Sequence, residues 1–384
     1  MSKVRILVVA DDITGAAEVA GVAHEAGCRV RFTTSWEGLT EGEASEASEV
    51  TVLATDTRSM PQSEALQCAQ AVVDTLRQGE NPYTHLFKKT DSVLRGWVAD
   101  ELAPFAELGY DKVLLMPANP SKGRTIEQGE YRINGTPLHE TVFSTDPEFP
   151  ARTSSVEALV GGGSRCITPQ TTTLERGISI GEAATTANYD LYMAHFGDGK
   201  TLLAGAADHF QALLRHLGFG GQDSKPFAGY GNRRTLIVLG STVRHDLTKE
   251  PFFARNQVAV SPMPDAVFAG GEAEAWISNS LAMAREGDSL LLRIPQAVAV
   301  DGNRARHLRR VMSETVEELI HTLQPEEVVI EGGATAFALI ERLGWRELGV
   351  SNQIAPGVVR LHYPPKGVYL TFKPGSYPWG DCFI

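Results

Sequence analysis

Short continuous apolar runs recur along this chain, and each is followed at once by polar, ionisable or turn residues. The first run, Val4 to Ala10, stops at Asp11-Asp12-Ile13-Thr14-Gly15-Ala16. It is aliphatic throughout rather than alternating, which is the pattern of a strand buried on both faces. Ala16, Ala17, Val19, Ala20, Val22, Ala23 and Ala26 then recur at helical spacing, with Gly27 as a stop. The same rhythm predicts strands over Arg29 to Thr33, Val50 to Ala54, Tyr83 to Phe87 and Lys112 to Met116. Glu37 to Glu49 reads as an acidic loop or short helix. Helices are expected from Pro61 through Gln78, where proline suits the first turn, and from Gly96 to about Leu108. From Gln128 to Val160 the pattern weakens, and Tyr131, Ile133, Val142 and Phe143 among Gly, Pro and Thr read as hairpins or an insertion.

A second alternating stretch begins at Thr235. Strands are expected over Leu236 to Leu239, Ser289 to Ile294, Glu327 to Ile330 and Val368 to Phe372. Helices are expected from about Val243, from Gly270 to Glu286, from Arg304 to Leu323 and from Ala336 to Leu343. Leu308, Val311, Met312, Val316, Leu319 and Ile320 mark one apolar face of the long one. The Gly-rich segment between the two stretches, within 221–234, is the linker candidate. The reading is α/β, with two domains, 1–220 and 235–384, each a mostly parallel sheet with helices on both faces.

Composition narrows the function. The chain has 384 residues, 42% hydrophobic and 21% charged, and a formal net charge of -12. That balance argues against nucleic acid or an anionic membrane as the main partner. The cysteines Cys28, Cys68, Cys166 and Cys382 are scattered, forming neither a zinc site nor a disulfide framework. With a strand opening at once and no membrane-spanning run, a cytoplasmic protein is expected.

The chemistry gathers at strand ends, because ligands of an open α/β sheet bind outside the carboxyl ends of its strands. Asp11, Asp12, Arg58, Lys88, Lys89, Asp91 and Arg95, joined by Lys122 and Arg124, should therefore converge. Adjacent carboxylates repel each other unless a cation or hydroxyls sit between them. Carboxylates on one side and cations on the other suit a small hydroxylated anion. A plainer reading gives Asp12 or Thr14 only a capping role on the first helix. In the second stretch, Gly240-Ser241-Thr242, Gly332-Gly333-Ala334-Thr335 and Lys373-Pro374-Gly375-Ser376 follow strands. Small residues before a helix N-terminus form a generic phosphate cradle, or a tight turn for close packing. Gly197-Asp198-Gly199-Lys200-Thr201 ends like a phosphate loop, but it lacks the earlier glycine and leads into an apolar run.

Two of these blocks resemble a known family. Ala10-Asp11-Asp12-Ile13-Thr14-Gly15-Ala16 is similar to the Ala-Asp-Asp-Leu-Thr-Gly-Ala signature of the four-carbon acid sugar kinases. Lys88-Lys89-Thr90-Asp91-Ser92-Val93-Leu94-Arg95-Gly96 resembles that family's Lys-Lys-x-Asp-Ser-Thr-Leu-Arg-Gly block. Pro117-Ala118-Asn119-Pro120 with Gly123-Arg124-Thr125 resembles a third block, while Ala355-Pro356-Gly357 and the three C-terminal loops resemble shorter elements. The chain departs from the family at Ala334, where an acid is usual, and in a tail without Gly-Phe-Gly.

The resemblance implies a sugar-acid-binding N-terminal domain, an ATP-binding C-terminal domain and an active site in the cleft between them. ATP and Mg²⁺ would be the cofactors, and the C4 hydroxyl of a threonate, erythronate or 3-oxo-tetronate would accept the phosphoryl group. In that reading Arg58, Lys88, Lys89 and Arg95 hold the acid and developing phosphate charge, and Asp11 and Asp12 bind hydroxyls. Asp91 or Asp12 takes the proton, so that Asp12, Asp91 and Lys89 are the catalytic set. Ser241, Gly332, Gly333, Ala334, Thr335, Lys373 and Gly375 contact the nucleotide. No protein metal ligands are expected, and exposed sheet edges could pair in a homodimer. Two rivals are a dehydrogenase, for which the Gly-x-Gly-x-x-Gly turn is absent, and a non-catalytic sugar-acid sensor.

Overall fold

The computed structural model describes residues 4–40, 48–146, 148–221, 226–242, 246–286, 289–295, 302–375, 377–379 and 382–383. Part of the expected acidic loop, the linker centre, the helix start at Val243 and Ser376 lie outside the described residues. The chain divides into two compact units, Met1–Asp223 and Ser224–Ile384.

In the first unit the strands are β1 (Ile6–Ala10), β2 (Val30–Thr33), β3 (Val50–Ala54), β4 (His85–Lys89) and β5 (Lys112–Met116). A small antiparallel sheet follows, made of β6 (Arg124–Glu127), β7 (Glu130–Ile133) and β8 (Thr136–Pro137). It occupies the start of the region expected to hold hairpins. The main sheet is completed by β9 (Arg165–Ile167), β10 (Gly177–Gly181) and β11 (Leu202–Gly205). Its strand order is β2-β3-β1-β4-β11-β5-β10-β9, with every neighbouring pair parallel. The run after Gly197 to Thr201 is β11, a strand, as its apolar pattern implies.

Every residue of β1, β3 and β4 is buried, which requires cover on both faces. One cover is α1 (Ile13–Glu25), whose buried Gly15, Ala16, Ala17, Val19, Ala20 and Ala23 let the helix lie close to the sheet. Another is α2 (Gln62–Gln78), with Ala65, Cys68, Ala69, Val72, Val73 and Leu76 as its buried stripe. The helix expected through Leu108 is short, α3 (Val98–Leu102), and passes at Ala103 into a 3₁₀ turn because Pro104 cannot donate to a continuing ladder. Chain order reverses on either side of β1: β2 and β3 lie to one side, β4 to the other. This is the switch point at which open α/β sheets bind ligands.

In the second unit the strands are β12 (Thr235–Leu239), β13 (Ala259–Pro262), β14 (Leu290–Arg293), β15 (Glu327–Glu331), β16 (Glu347–Ala355), β17 (Val358–Tyr363) and β18 (Val368–Lys373). The order is β13-β14-β12-β15-β18-β17-β16, parallel as far as β18 and antiparallel beyond it. The reading of this unit missed β13, β16 and β17. β16 is half-buried and contains Gly349, Ser351 and Asn352, so it has no apolar run to announce it. Helix α4 (Gly302–Leu323) buries the expected Leu308, Val311, Met312, Val316, Leu319 and Ile320. It is followed, after β15, by α5 (Gly333–Leu343). An aromatic core of Tyr230, Phe252, Phe253, Trp379 and Phe383 packs on Ile237, Leu239 and Val329, so the unusual tail is anchored in the core. This unit has its own switch point at β12, with β14 on one side and β15 on the other.

Candidate functional site

At the first switch point, three loops bring carboxylates onto one guanidinium. Asp11 and Asp12 follow β1, Arg58 follows β3, and Asp91 follows β4. Arg58 Nη2 donates to Asp11 Oδ1 at 2.9 Å and to Asp12 Oδ1 at 2.7 Å, and its Nε donates to Asp11 Oδ2 at 3.1 Å. Asp91 Oδ1 lies 3.6 Å from Arg58 Nη1. A further N–H, from the backbone of Asp91, donates to Asp11 Oδ2 at 3.2 Å. Asp11 is thus enclosed, and it locks the β4 loop to Arg58.

Asp12 does two things at once. Its Oδ1 caps α1 by accepting from the Gly15 N–H at 2.9 Å, and its Oδ2 accepts from the Thr14 hydroxyl. The capping role anticipated for it is therefore real, and it does not prevent contact with Arg58. Gly15 is required by this crowding, since a Cβ there would lie 2.6 Å from Asp12 Oδ1 and 3.0 Å from Lys89 Nζ. Burial pushes the Asp12 carboxyl upward, but Arg58 and Lys89 outweigh it and hold it below the ordinary carboxylate value. Asp91 is buried too, and Arg58 and Arg95 together hold it well below that value. Burial opposes the Arg58 charge, and the three carboxylates more than restore it.

Arg95 closes the other side. Its Nε and Nη2 each donate to Asp91 at 3.0 Å, and its Nη1 reaches Asp146 at 3.3 Å. The backbone N–H groups of Val93 and Arg95 also donate to Asp91, at 3.2 Å each. The turn carrying them puts Leu94 at φ 64°, a left-handed conformation a branched side chain seldom adopts. Arg95 and Arg124 both lie over the Phe143 ring, at 5.7 and 5.8 Å, and Arg124 also donates to the Ser92 hydroxyl. Arg95 keeps 30% of its side chain exposed, against 15% for Arg58 and 8% for Asp91.

The two lysines do not stay together. Both belong to β4, and successive strand side chains point to opposite faces. Lys89 faces α1: its Nζ donates to the Thr90 carbonyl at 3.0 Å and lies 3.7 Å from Glu18, which also pairs with Lys122. Lys88 faces α3, where its Nζ lies 2.8 Å from Glu101 Oε2 and both side chains are buried. The expected grouping of Lys88 with the substrate residues is corrected accordingly. Sequence reasoning missed Glu18, Glu101 and Asp146. Glu18 carried a signal, as a charge set among the small buried residues of α1. Glu101 and Asp146 carried none.

At the second switch point the lining is different. A cavity of about 320 Å³ is bounded by Gly240, Ser241 and Thr242 after β12, by Gly332, Gly333, Ala334 and Thr335 after β15, and by Gly375 after β18. Ile294, Ala305, Leu308, Arg309 and Met312 complete it. Gly332 stands at φ 108°, and a Cβ there would meet the Gly240 backbone at 3.5 Å. α5 begins immediately after it, so free N–H groups open on the cavity. Six of the seven residues read from sequence as nucleotide contacts are brought together here.

Lys373 is the exception. It is the last residue of β18, buried, with Nζ 2.8 Å from Glu331 Oε2 and donating to the carbonyls of Pro374 at 2.9 Å and Gly375 at 3.3 Å. Burial lowers its pKa against the pull of Glu331. It braces the loop rather than lining the cavity.

Residues 6–195 match the family described as sugar-binding N-terminal domain. Over 98% of its length the chain is 25% identical to the 3-oxo-tetronate kinase of Methylobacterium radiotolerans, covering 96% of that protein. Over 91% of its length it is 24% identical to the D-threonate kinase of Bordetella bronchiseptica, covering 88% of that protein. The chain belongs to the four-carbon acid sugar kinase family. The family fold extends to solved structures: a Salmonella typhimurium LT2 protein superposes with a TM-score of 0.78 at 18% identity, over 99% of this chain and 97% of its own. Within the matched 6–195 segment lie Asp11, Asp12, Arg58, Lys89, Asp91 and Arg95, the charged residues clustered at the first switch point. Among the described residues, no helix is long and apolar enough to cross a membrane.

Proposed function

We propose that this protein is an ATP-dependent kinase that phosphorylates the terminal C4 hydroxyl of a four-carbon sugar acid such as threonate, erythronate or 3-oxo-tetronate. The observation that carries the reading is the cluster of Asp11, Asp12 and Asp91 on Arg58 at the carboxyl ends of β1, β3 and β4. The first unit is the sugar-acid-binding domain and the second the nucleotide-binding domain. The bound acid presents hydroxyls to Asp12 and its carboxylate to Arg95, the most open cation of the set. Lys89, beside Asp12, stabilises charge developing on the phosphoryl group.

Of the two candidate proton acceptors, Asp12 is the better placed. The Asp91 oxygens already accept from the Arg95 fork and from backbone N–H groups, and this orients Arg95. Both carboxyls sit below their ordinary values and are weak bases, which suits phosphoryl transfer, where positioning and charge neutralisation outweigh proton removal. The carboxylates gathered at the first switch point are already engaged by Arg58 and Arg95. Mg²⁺ would arrive on the nucleotide phosphates and neutralise their charge. The cavity in the second unit fits the nucleotide through the Gly332 approach and the α5 N-terminus. The four free cysteines fit work in a reducing cytoplasm.

The Ala334 departure supports a second reading, a sugar-acid sensor without turnover. The test is ADP formation by pure protein with Mg²⁺, ATP and a panel of four-carbon acids. The proposal expects ADP with one acid and not its epimers. No ADP with any acid, alongside a melting temperature raised by one of them, would favour the sensor.

A further inference from the structure

With Lys373 turned onto Glu331, the cavity of the second unit lacks the cation that its glycine loops were expected to use. Nucleotide phosphates bring several negative charges, and a helix N-terminus supplies only a partial positive one. Among the described residues lining the cavity, Arg309 is the sole ionisable side chain, and no carboxylate shares the lining. Arg309 belongs to α4, and the cavity-lining residues Ala305, Leu308, Arg309 and Met312 fall at i, i+3, i+4 and i+7, a single helix face. One helix therefore presents both an apolar wall and a guanidinium to the same space.

Other arginines of α4 have partners. Arg310 pairs with Glu314 at 3.0 Å, Arg304 lies over Phe268 at 5.2 Å, and Arg306 donates to Asn303. Arg309 makes no such pair among the described residues. Its Nε is shut off from water and has no hydrogen-bond acceptor. The guanidinium at the cavity wall is therefore not committed to a protein acceptor through this N–H.

We propose that Arg309 is the phosphate-binding cation of the second unit, its guanidinium fork donating to a nucleotide phosphate while the apolar face beside it packs on the base. This rests on the reading of that unit as the nucleotide domain. A planar fork binds phosphate through paired N–H groups, which a lysine can match in charge but not in geometry.

The test is calorimetric titration of ATP, ADP and adenosine into wild type, R309Q and R309K, without any sugar acid, with thermal melts to verify folding. R309Q weakens ATP and ADP binding by about tenfold or more and leaves adenosine unchanged, while R309K recovers part of the ATP affinity. Equal ATP affinity in wild type and R309Q, or equal losses for ATP and adenosine, overturns the role of Arg309 and leaves the nucleotide domain standing. Absence of ATP binding by wild type overturns both.

Discussion

The two switch points share a topology and differ in what fills them. In the first unit, the space beyond β1, β3 and β4 holds three carboxylates linked through two arginines, with Lys89 nearby on Glu18. In the second, the space beyond β12 and β15 holds glycine, serine and threonine, with Arg309 as its only charge among the described residues. On the proposed reading, the first recognises a ligand through side-chain charge and must keep those charges matched when nothing is bound. The second leaves backbone N–H groups free, and glycine is the device that lets a ligand reach them. The fold sets where a ligand goes, and the residues just beyond each strand set which ligand it is.

The largest effect should come from removing the shared cation of the first site. Arg58→Met leaves Asp11, Asp12 and Asp91 facing one another in a buried space. Loss of one partner of a buried ion pair costs about 3–5 kcal/mol, so thermal unfolding of the first unit should drop sharply and ADP formation should vanish. Asp12→Asn retains a cap for α1 and leaves Arg58 with Asp11 and Asp91: turnover should fall to background, with a smaller loss of melting temperature than in Arg58→Met. Retention of turnover would displace Asp12 from the site.

Next comes Lys88, which was expected at the first site and stands apart from it, paired with Glu101. Lys88→Met alone should lower stability by about 3–5 kcal/mol, because Glu101 is left buried and unpaired, whereas Lys88→Met with Glu101→Leu should recover most of the loss. The KM for the sugar acid should stay near wild type in the double variant. A raised KM there would return Lys88 to the binding site.

These lysines show how much was legible. The strands β1, β3 and β5 could be read because buried parallel strands carry continuous apolar runs, and β4 only as far as Phe87. The clustering of Asp11, Asp12, Arg58, Lys89, Asp91 and Arg95 followed from their positions just past those runs. The misplacements share one cause. The apolar run before Lys88 ends at Phe87, but β4 continues to Lys89, and the run before Lys373 ends at Phe372, but β18 includes Lys373. A charged residue closing a strand obeys the two-residue alternation, so its neighbours in sequence point elsewhere. Their partners, Glu101 and Glu331, lie 13 and 42 residues from those lysines in the chain, beyond the reach of local pattern. Arg309 escaped notice because it sits mid-helix among other arginines, and only packing distinguishes it.

A smaller effect tests the glycine device. Gly332→Ala imposes a left-handed φ on a residue with a Cβ, at about 1–3 kcal/mol, and should weaken ATP binding without changing sugar-acid binding. Gly15→Ala should do the reverse, since its Cβ displaces Asp12. Parallel titrations of both ligands into both variants check the pair.

A further effect concerns pH. His209 is fully buried in the first unit against Phe87, hydrogen-bonded at Nδ1 to the Ala204 carbonyl at 2.8 Å, and burial lowers its pKa to about 4. The unfolded chain binds a proton here that the folded chain refuses, so stability should fall as pH drops from about 6.5 to 4. His209→Asn, which keeps a donor for Ala204, should flatten that slope in denaturant titrations. Asp12 and Asp91 act lower: their depressed values stabilise the fold above about pH 4, and that contribution is lost as pH falls further.

The division of labour between the two units is tested most directly by hydrogen–deuterium exchange of the whole chain with one ligand at a time. A four-carbon acid that supports turnover should protect 11–16, 56–60 and 88–96, and ATP should protect 240–242, 305–312 and 331–336. Protection of the second set by the acid, or of the first by ATP alone, would contradict the assignment of the two ligands to their separate switch points.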